Sequence, residues 1–221
     1  KYPGEVIQEI KSNPPDMLGL SNYSWNSNLS EYIASIAKKV NPNIVTIQGG
    51  TNFPFHENLQ KDFLLARPNT DIYTILEGER SCSNIVKRIL ENNYDRKKIF
   101  EKPIDGCVFI DPESYKSKNK TIVKGAILER IKDLDEIPSP YLTGILDKFF
   151  DGKLTPFIET NRGCPFTCTF CNSPDQMKLY ERSAGGGFFR KKNMSLVYDE
   201  LKYLKDTLGC EYNYFWADTF L

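Results

Sequence analysis

The sequence predicts an α/β fold whose first half is a Rossmann-like parallel sheet. Three observations carry this. Short apolar runs alternate with amphipathic ones, from MLGLS at 17–21 through IVTI at 44–47 and IYTIL at 72–76 to CVFI at 107–110. The segments between them have helical spacing, and strands alternating with helices imply a parallel sheet covered on both faces. The 221 residues are 40% apolar and 26% charged, a globular composition rather than a disordered one.

The elements follow in order. EVIQEIK at 5–11 reads as the end of a helix closed by Pro14-Pro15, and MLGLS as a buried strand. Asn28 is a candidate N-cap with Glu31 three residues on, and Leu29, Ile33, Ile36, Ala37 and Val40 form a helix face that ends at Asn41-Pro42. IVTI runs into Gly49-Gly50, and IYTIL into Glu77-Gly78-Glu79. Ile85, Val86, Ile89 and Leu90 make another helix face, and CVFI is a fourth strand or part of a terminal hairpin. Domain boundaries are read as 1–115 for the sheet domain, 116–153 for a connector containing LDEIPSPYL, and 154–221 for a second domain.

Composition excludes several function classes. Lys plus Arg and Asp plus Glu are both 29, so no excess of cations is available to hold a nucleic-acid backbone. No apolar run reaches membrane-spanning length, and the N-terminus carries no signal-peptide pattern. Six cysteines are too sparse for a disulfide scaffold, and three of them fall within eight residues, which points to a metal or cluster site in a reducing, cytoplasmic setting.

Ligands of open parallel sheets lie beyond the carboxyl ends of the strands. Those ends here carry Ser21-Asn22-Tyr23-Ser24, Gly49-Gly50-Thr51-Asn52 and Glu77-Gly78-Glu79. A glycine pair directly after a buried strand lets a large ligand approach the backbone, or simply makes a tight turn. Neither GxGxxG nor a Walker-type sequence occurs.

The second half opens with LTPFIETNRGCPFTCTFC, in which TPFIE reads as a strand and Cys164, Cys168 and Cys171 follow with C-x3-C-x2-C spacing. Thiolates suit zinc or iron–sulfur, and a short loop eased by Gly163 can curl three of them around one corner of a cubane. Structural zinc needs four ligands, usually from two paired knuckles. The sequence has one pair and one extra cysteine, with Cys210 or His56 as remote fourth ligands. Cys82, Cys107 and Cys210 are isolated and read as small buried hydrophobes.

NRGCPFTCTFC resembles the cluster loop of the radical S-adenosylmethionine (radical SAM) enzymes, including an aromatic residue, Phe170, before the last cysteine. NMSLVYDELKYLKDTLGCEYNYFWADTFL looks like that family's first barrel helix and second strand, with Ser195 as cap, Val197, Leu201, Leu204 and Leu208 as apolar face and Gly209 as stop. PDMLGLS, IVTIQGG and DIYTILEGE, over about residues 14–110, resemble the cobalamin-binding domain that precedes the barrel in one large radical SAM subgroup. The fold class implied is a Rossmann-like domain followed by the first part of a radical SAM β/α barrel. The residues from Thr155 onward fall far short of the about 250 of a full barrel, so the chain reads as an N-terminal fragment of a longer enzyme.

The resemblance implies a [4Fe–4S] cluster on Cys164, Cys168 and Cys171, with S-adenosylmethionine on the open iron, cleaved by one electron to a 5′-deoxyadenosyl radical. Phe170 would lie near the adenine, and Asp218 at the end of the second strand would help hold the methionyl amine. Cobalamin would lie against Ser21, Ser24, Gly49, Gly50, Glu77 and Gly78. Methyl transfer to an unactivated carbon of a small-molecule substrate is the commonest chemistry of the subgroup, ring rearrangement another, and an electron donor such as flavodoxin or ferredoxin is implied. One departure is clear. The D-x-H-x-x-G motif of many cobalamin domains is absent, because around His56 a Pro54 stands at the Asp position and Leu59 at the Gly position. A radical SAM enzyme whose first domain binds no cobalamin, and a non-catalytic zinc-binding module, are the alternatives.

Overall fold

The computed structural model describes residues 2–54, 56–150, 154–163, 189–210 and 215–216. The chain divides into two compact units, Lys1–Leu128 and Glu129–Leu221.

The first unit is a five-stranded sheet in the order β1-β2-β3-β4-β5. Helix α1 (Pro3–Ser12) precedes β1 (Met17–Ser21), which is followed by α2 (Ser27–Val40), β2 (Val45–Gly49), α3 (Glu57–Leu65) and β3 (Ile72–Thr74). Then come α4 (Gly78–Glu91), the short α5 (Arg96–Ile99), β4 (Cys107–Ile110) and β5 (Ile122–Lys124). β1, β2 and β3 are parallel, with Met17 opposite Val45 and Ile47 opposite Ile72. β4 runs antiparallel to β3, and β5 antiparallel to β4. The expected parallel sheet therefore holds for three strands, and CVFI takes the terminal-hairpin option. The hairpin carries the sheet past residue 115, so the first compact unit continues to Leu128.

Strand alternation sorts the side chains onto two faces. Val45, Ile47, Ile72, Cys107 and Phe109 pack against Ile85 and Ile89 of α4 and Ile99 of α5. On the other face Tyr73, Val108 and Ile110 meet Phe53 and Leu64, and Leu18 and Leu20 meet Ile10, Ile33 and Ala37 from α1 and α2. β3 and β4 are buried throughout and β2 up to Gly49, as runs covered on both faces require, whereas MLGLS, read as a buried strand, is an edge strand that alternates between exposed and half-buried residues.

α2 begins earlier than the Asn28 cap predicts. Asn26 is its N-cap residue, and Glu31 is engaged elsewhere, accepting from the Asn69 backbone and side chain at 2.9 and 2.8 Å and from the Thr70 hydroxyl at 3.0 Å. At the amino end of β3, Asp71 is bound by Arg96 at 2.8 Å and Lys38 at 2.6 Å and accepts from the Thr46 amide at 2.9 Å.

The second unit holds β6 (Phe157–Ile158), β7 (Asn161–Arg162), β8 (Arg190–Lys191), α6 (Met194–Asp206) and β9 (Phe215–Trp216). β6 and β9 pair in parallel, Phe157 with Phe215 and Ile158 with Trp216, across the intervening α6. This is one strand–helix–strand step, the unit from which a β/α barrel is built. Val197 and Leu204 of α6 are buried as its periodicity predicts, with Leu204, Tyr141 and Ile158 forming the core. Asn193 rather than Ser195 caps the helix, accepting from the Ser195 amide at 3.1 Å, and Gly209 follows its end at φ +67°. Among the described residues no helix is long and apolar enough to cross a membrane.

Candidate functional site

Because β1, β2 and β3 are parallel, their carboxyl ends share one edge of the first unit. The loops that leave this edge are stitched together by amides. The Asn22 backbone N–H donates to the Gly49 carbonyl at 2.7 Å, and the Asn52 N–H to the Asn22 carbonyl at 3.3 Å. Their side chains form a row: Asn52 Nδ2 donates to Asn22 Oδ1 at 3.1 Å, and Asn22 Nδ2 to Gln48 Oε1 at 2.9 Å. The row ends at Gln48 Nε2, buried and without a hydrogen-bond partner among the described residues. An unmatched buried donor costs about 1–3 kcal/mol. Gln48 stands in an otherwise apolar and β-branched strand, a signal legible in the sequence that the reading above passed over.

The glycine pair is needed by the protein's own packing. A Cβ on Gly50, at φ +136°, would lie 2.5 Å from the Asn22 carbonyl oxygen, and one on Gly49 2.2 Å from Thr74 Oγ1. The Tyr73 hydroxyl donates to the Gly50 carbonyl at 3.0 Å. Burial pushes the Tyr73 phenol well above its ordinary range, against a smaller opposing effect of Arg67, so it stays a donor. Gly78, the first residue of α4, differs: a Cβ there meets nothing within 4 Å. Glu77 is the N-cap residue of α4, and Leu76 just before it holds φ +65°, an unusual value for a side-chain-bearing residue.

Ser21, the last residue of β1, and Ser24, on the loop after it, are both exposed. Ser21 Oγ accepts from Asn26 Nδ2 at 2.7 Å. Between the serines and just beyond them, Tyr23 and Trp25 stack at 4.8 Å and 1° between planes, with Trp25 80% exposed. His56 is exposed at the N-cap position of α3 and makes no side-chain cap bond. The structure thus brings Ser21, Gly49 and Gly50 together at the strand ends, with Glu77 and Gly78 at the start of α4, after β3.

In the second unit, Cys164, Cys168, Cys171 and Phe170 lie outside the described residues, as does Asp218. The chain on either side of the cysteine segment is described. β7 pairs antiparallel with β8, Asn161 opposite Lys191 and Arg162 opposite Arg190, and the Lys192 N–H donates to the Thr160 carbonyl at 2.8 Å. Gly163 has φ +89°, the left-handed conformation expected where the chain turns into the motif. Arg162 pairs with Glu159 at 2.9 Å. Lys192 reaches the buried Glu200 of α6 at 3.1 Å. Among the described residues no cluster of His, Cys, Asp and Glu could hold a metal ion. Burial pushes the Cys107 thiol up to about 12 and raises Cys82 and Cys210 as well.

The first unit is a Rossmann-type α/β sheet, and in the second the three-cysteine motif falls, in sequence, between the strands of one strand–helix–strand step. No family model matches the chain. It is 29% identical over 174 residues to a 2-(S-pantetheinyl)-carbapenam-3-carboxylate methyltransferase of Streptantibioticus cattleyicolor, covering 75% of this chain and 23% of that protein. It is 27% identical over 174 residues to the cobalamin-dependent radical SAM methyltransferase TokK of Streptomyces tokunonensis, with the same coverages of 75% and 23%. An anaerobic magnesium-protoporphyrin IX monomethyl ester cyclase of Rubrivivax gelatinosus is 28% identical over 207 residues, 90% of this chain and 33% of the cyclase. The solved structure of the cobalamin-dependent S-adenosylmethionine radical enzyme OxsB superposes with a TM-score of 0.63 at 17% identity, covering 98% of this chain and 27% of that one. The chain is thus similar in sequence to cobalamin-dependent radical SAM methyltransferases, and it shares the fold of the matched part of OxsB. It spans less than half the length of each of these relatives.

Proposed function

We propose that the chain is the cofactor-binding part of a cobalamin-dependent radical SAM enzyme that transfers a methyl group to an unactivated carbon of a small molecule. The observation that carries this is the C-x3-C-x2-C motif placed after β6 and beyond a Rossmann-type sheet. The donor set fits the cluster: three thiols fall within eight residues, next to Gly163, whereas of the three other cysteines Cys107 is buried with its thiol pushed up to about 12. The strand-end edge fits cobalamin: an unmatched Gln48 donor, open space beside Gly78, and exposed Ser21 and Ser24 on adjoining loops.

When bound, the cluster supplies the electron that cleaves S-adenosylmethionine to a 5′-deoxyadenosyl radical, and cobalamin supplies the methyl carrier. Cys164, Cys168 and Cys171 would hold the cluster, which would also bind S-adenosylmethionine. Phe170 would lie near the adenine of S-adenosylmethionine, and Asp218 would help hold its methionyl amine. Ser21, Ser24, Gly49, Gly50, Glu77 and Gly78 line the cobalamin edge, where glycine keeps side chains out of the way of a broad ring. A flavodoxin- or ferredoxin-type donor delivers the electron. The cyclase relatives favour a second reading, radical-initiated ring formation on the same two cofactors.

The test is anaerobic purification with iron, sulfide, zinc and cobalamin quantified together. Expected are about four irons with matching sulfide per chain and a cobalamin absorbance band. Zinc in place of iron overturns the cluster, and iron without cobalamin overturns the role of the first unit.

A further inference from the structure

We infer that the connector between Ile131 and Tyr141 is a positioning element that fixes the chain on both sides of the cysteine segment. This rests on the reading of Cys164, Cys168 and Cys171 as cluster ligands. On the amino-terminal side, the Tyr141 hydroxyl donates to the Phe157 carbonyl at 2.5 Å and accepts from the Phe157 N–H at 3.0 Å. In a strand both polar groups of one residue point to the same edge. A single hydroxyl therefore stands where a neighbouring strand would pair with β6, while Phe157 and Ile158 are matched to β9 on the other side. The Tyr141 ring is buried with Ile158 and Leu204, so the hydroxyl is aimed by packing.

On the carboxyl-terminal side, the Arg190 guanidinium donates to the Ile131 carbonyl, and Asp135 Oδ1 accepts from the Asn193 N–H at 2.9 Å. Between the two grips, the β7–β8 pairing and the Lys192–Thr160 bond hold the ends of the segment side by side. A solvated proline-containing linker does not need buried residues. Here Ile131 is 4% exposed, Leu134 0% and Tyr141 6%, the burial of a core.

The consequence is thermodynamic. Three thiolates must converge on one cluster, and each residue ordered for this loses conformational entropy. A segment whose ends are already tied has less left to lose, so assembly and the geometry of the open iron depend on the connector. Support behind metal ligands commonly governs affinity in this way.

The experiment uses the whole chain, reconstituted anaerobically with ferrous iron and sulfide and reduced with dithionite. Tyr141→Phe keeps the ring and removes the hydroxyl. Asp135→Ala removes the second grip, and Asp135→Asn, which keeps an acceptor oxygen, is the rescue. Read out are apo-protein melting, iron retained after a chelator challenge, and the cluster's paramagnetic resonance spectrum with and without S-adenosylmethionine. Expected are apo melting close to the parent's, several-fold less iron retained in Tyr141→Phe and Asp135→Ala, a broadened or lost response to S-adenosylmethionine, and recovery in Asp135→Asn. Should Tyr141→Phe fail to fold, the Asp135 variants decide. Variants that match the parent in iron and spectrum overturn the inference and leave the cluster reading standing. A parent that assembles no cluster overturns the cluster reading, and the inference falls with it.

Discussion

Asn22 and Gly50 are in backbone contact: the position a Cβ would take on Gly50 lies 2.5 Å from the Asn22 carbonyl oxygen, at φ +136°. The Asn22 amide also reaches back to Gly49, so the turn after β1 and the turn after β2 are one interlocked piece. Gly50→Ala is expected to destabilise the cofactor-free protein by on the order of 2 kcal/mol through strain at a position other residues rarely adopt. Gly78→Val meets no such obstacle. It is expected to leave apo melting nearly unchanged and to lower retention of hydroxocobalamin. Thermal unfolding and absorbance after gel filtration separate the two. Equal melting of Gly50→Ala and parent removes the packing role, and full retention in Gly78→Val removes α4's first residue from the ligand edge.

Asp71 gives a prediction about stability and pH. Burial alone raises its carboxyl pKa, but the Arg96 hydrogen bond and charge, then Lys38, outweigh it and the net shift is downward. Burial costs the Lys38 ammonium more than Asp71 returns to it, so Lys38 is shifted down and Arg96 carries most of the gain. Asp71→Ala strands both cations, at about 3 kcal/mol for a broken buried pair and a drop on the order of 10 °C in melting temperature. A lowered folded pKa means that the contribution is complete above the unfolded value of about 3.9 and is lost as pH falls through the folded one. The melting gap between parent and variant should stay constant from about pH 7 to 5 and close only below about pH 4. A gap that closes between pH 7 and 5 contradicts this assignment.

β1 to β4 were legible because they are short apolar runs bounded by turn residues, as in MLGLS and CVFI, whereas the short strands β5, β7 and β8 carry no such run. What periodicity could not give was their direction: β4 reverses, although its residues read like those of β2. α3 was missed because its buried face includes Gln60, which donates to the Pro54 carbonyl at 3.1 Å, so polarity masks the helical stripe. Glu31 looked like half of a capping box, yet its partners Asn69 and Thr70 come from the turn before β3, a contact only the fold creates. The Asp71–Arg96 pair is hidden for the same reason. At the candidate site, the glycine pair and the cysteine spacing were visible as local patterns. The amide row from Asn52 through Asn22 to Gln48 joins three separate segments and was not.

His56 should be dispensable for cobalamin. It is exposed, its side chain caps nothing on α3, and Pro54 and Leu59 occupy the places that a ligating motif would need filled by Asp and Gly. His56→Ala is expected to retain as much hydroxocobalamin as the parent, with the same absorbance maxima. Release of the cofactor or a shifted spectrum would show that this histidine reaches cobalt after all.

The six cysteines should divide three and three. Cys107 is fully buried, its Sγ facing the Ser81 and Asp105 carbonyl oxygens, and burial pushes its thiol up to about 12. Cys82 is exposed and Cys210 half-buried, against the reading of both as buried hydrophobes, and partial desolvation shifts both thiols upward, away from the thiolate. Cluster assembly should therefore fall to Cys164, Cys168 and Cys171 alone. Replacing any one of these by Ala is expected to abolish bound iron and sulfide, because two thiolates cannot hold one corner of a cubane. Cys82→Ala and Cys210→Ala should keep both, and Cys107→Ala should keep them while losing about 1 kcal/mol or more of stability from the cavity it leaves in the core. Iron and acid-labile sulfide measured on the six anaerobically reconstituted variants decide the matter: normal iron in Cys168→Ala, or its loss in Cys210→Ala, would reassign the ligands.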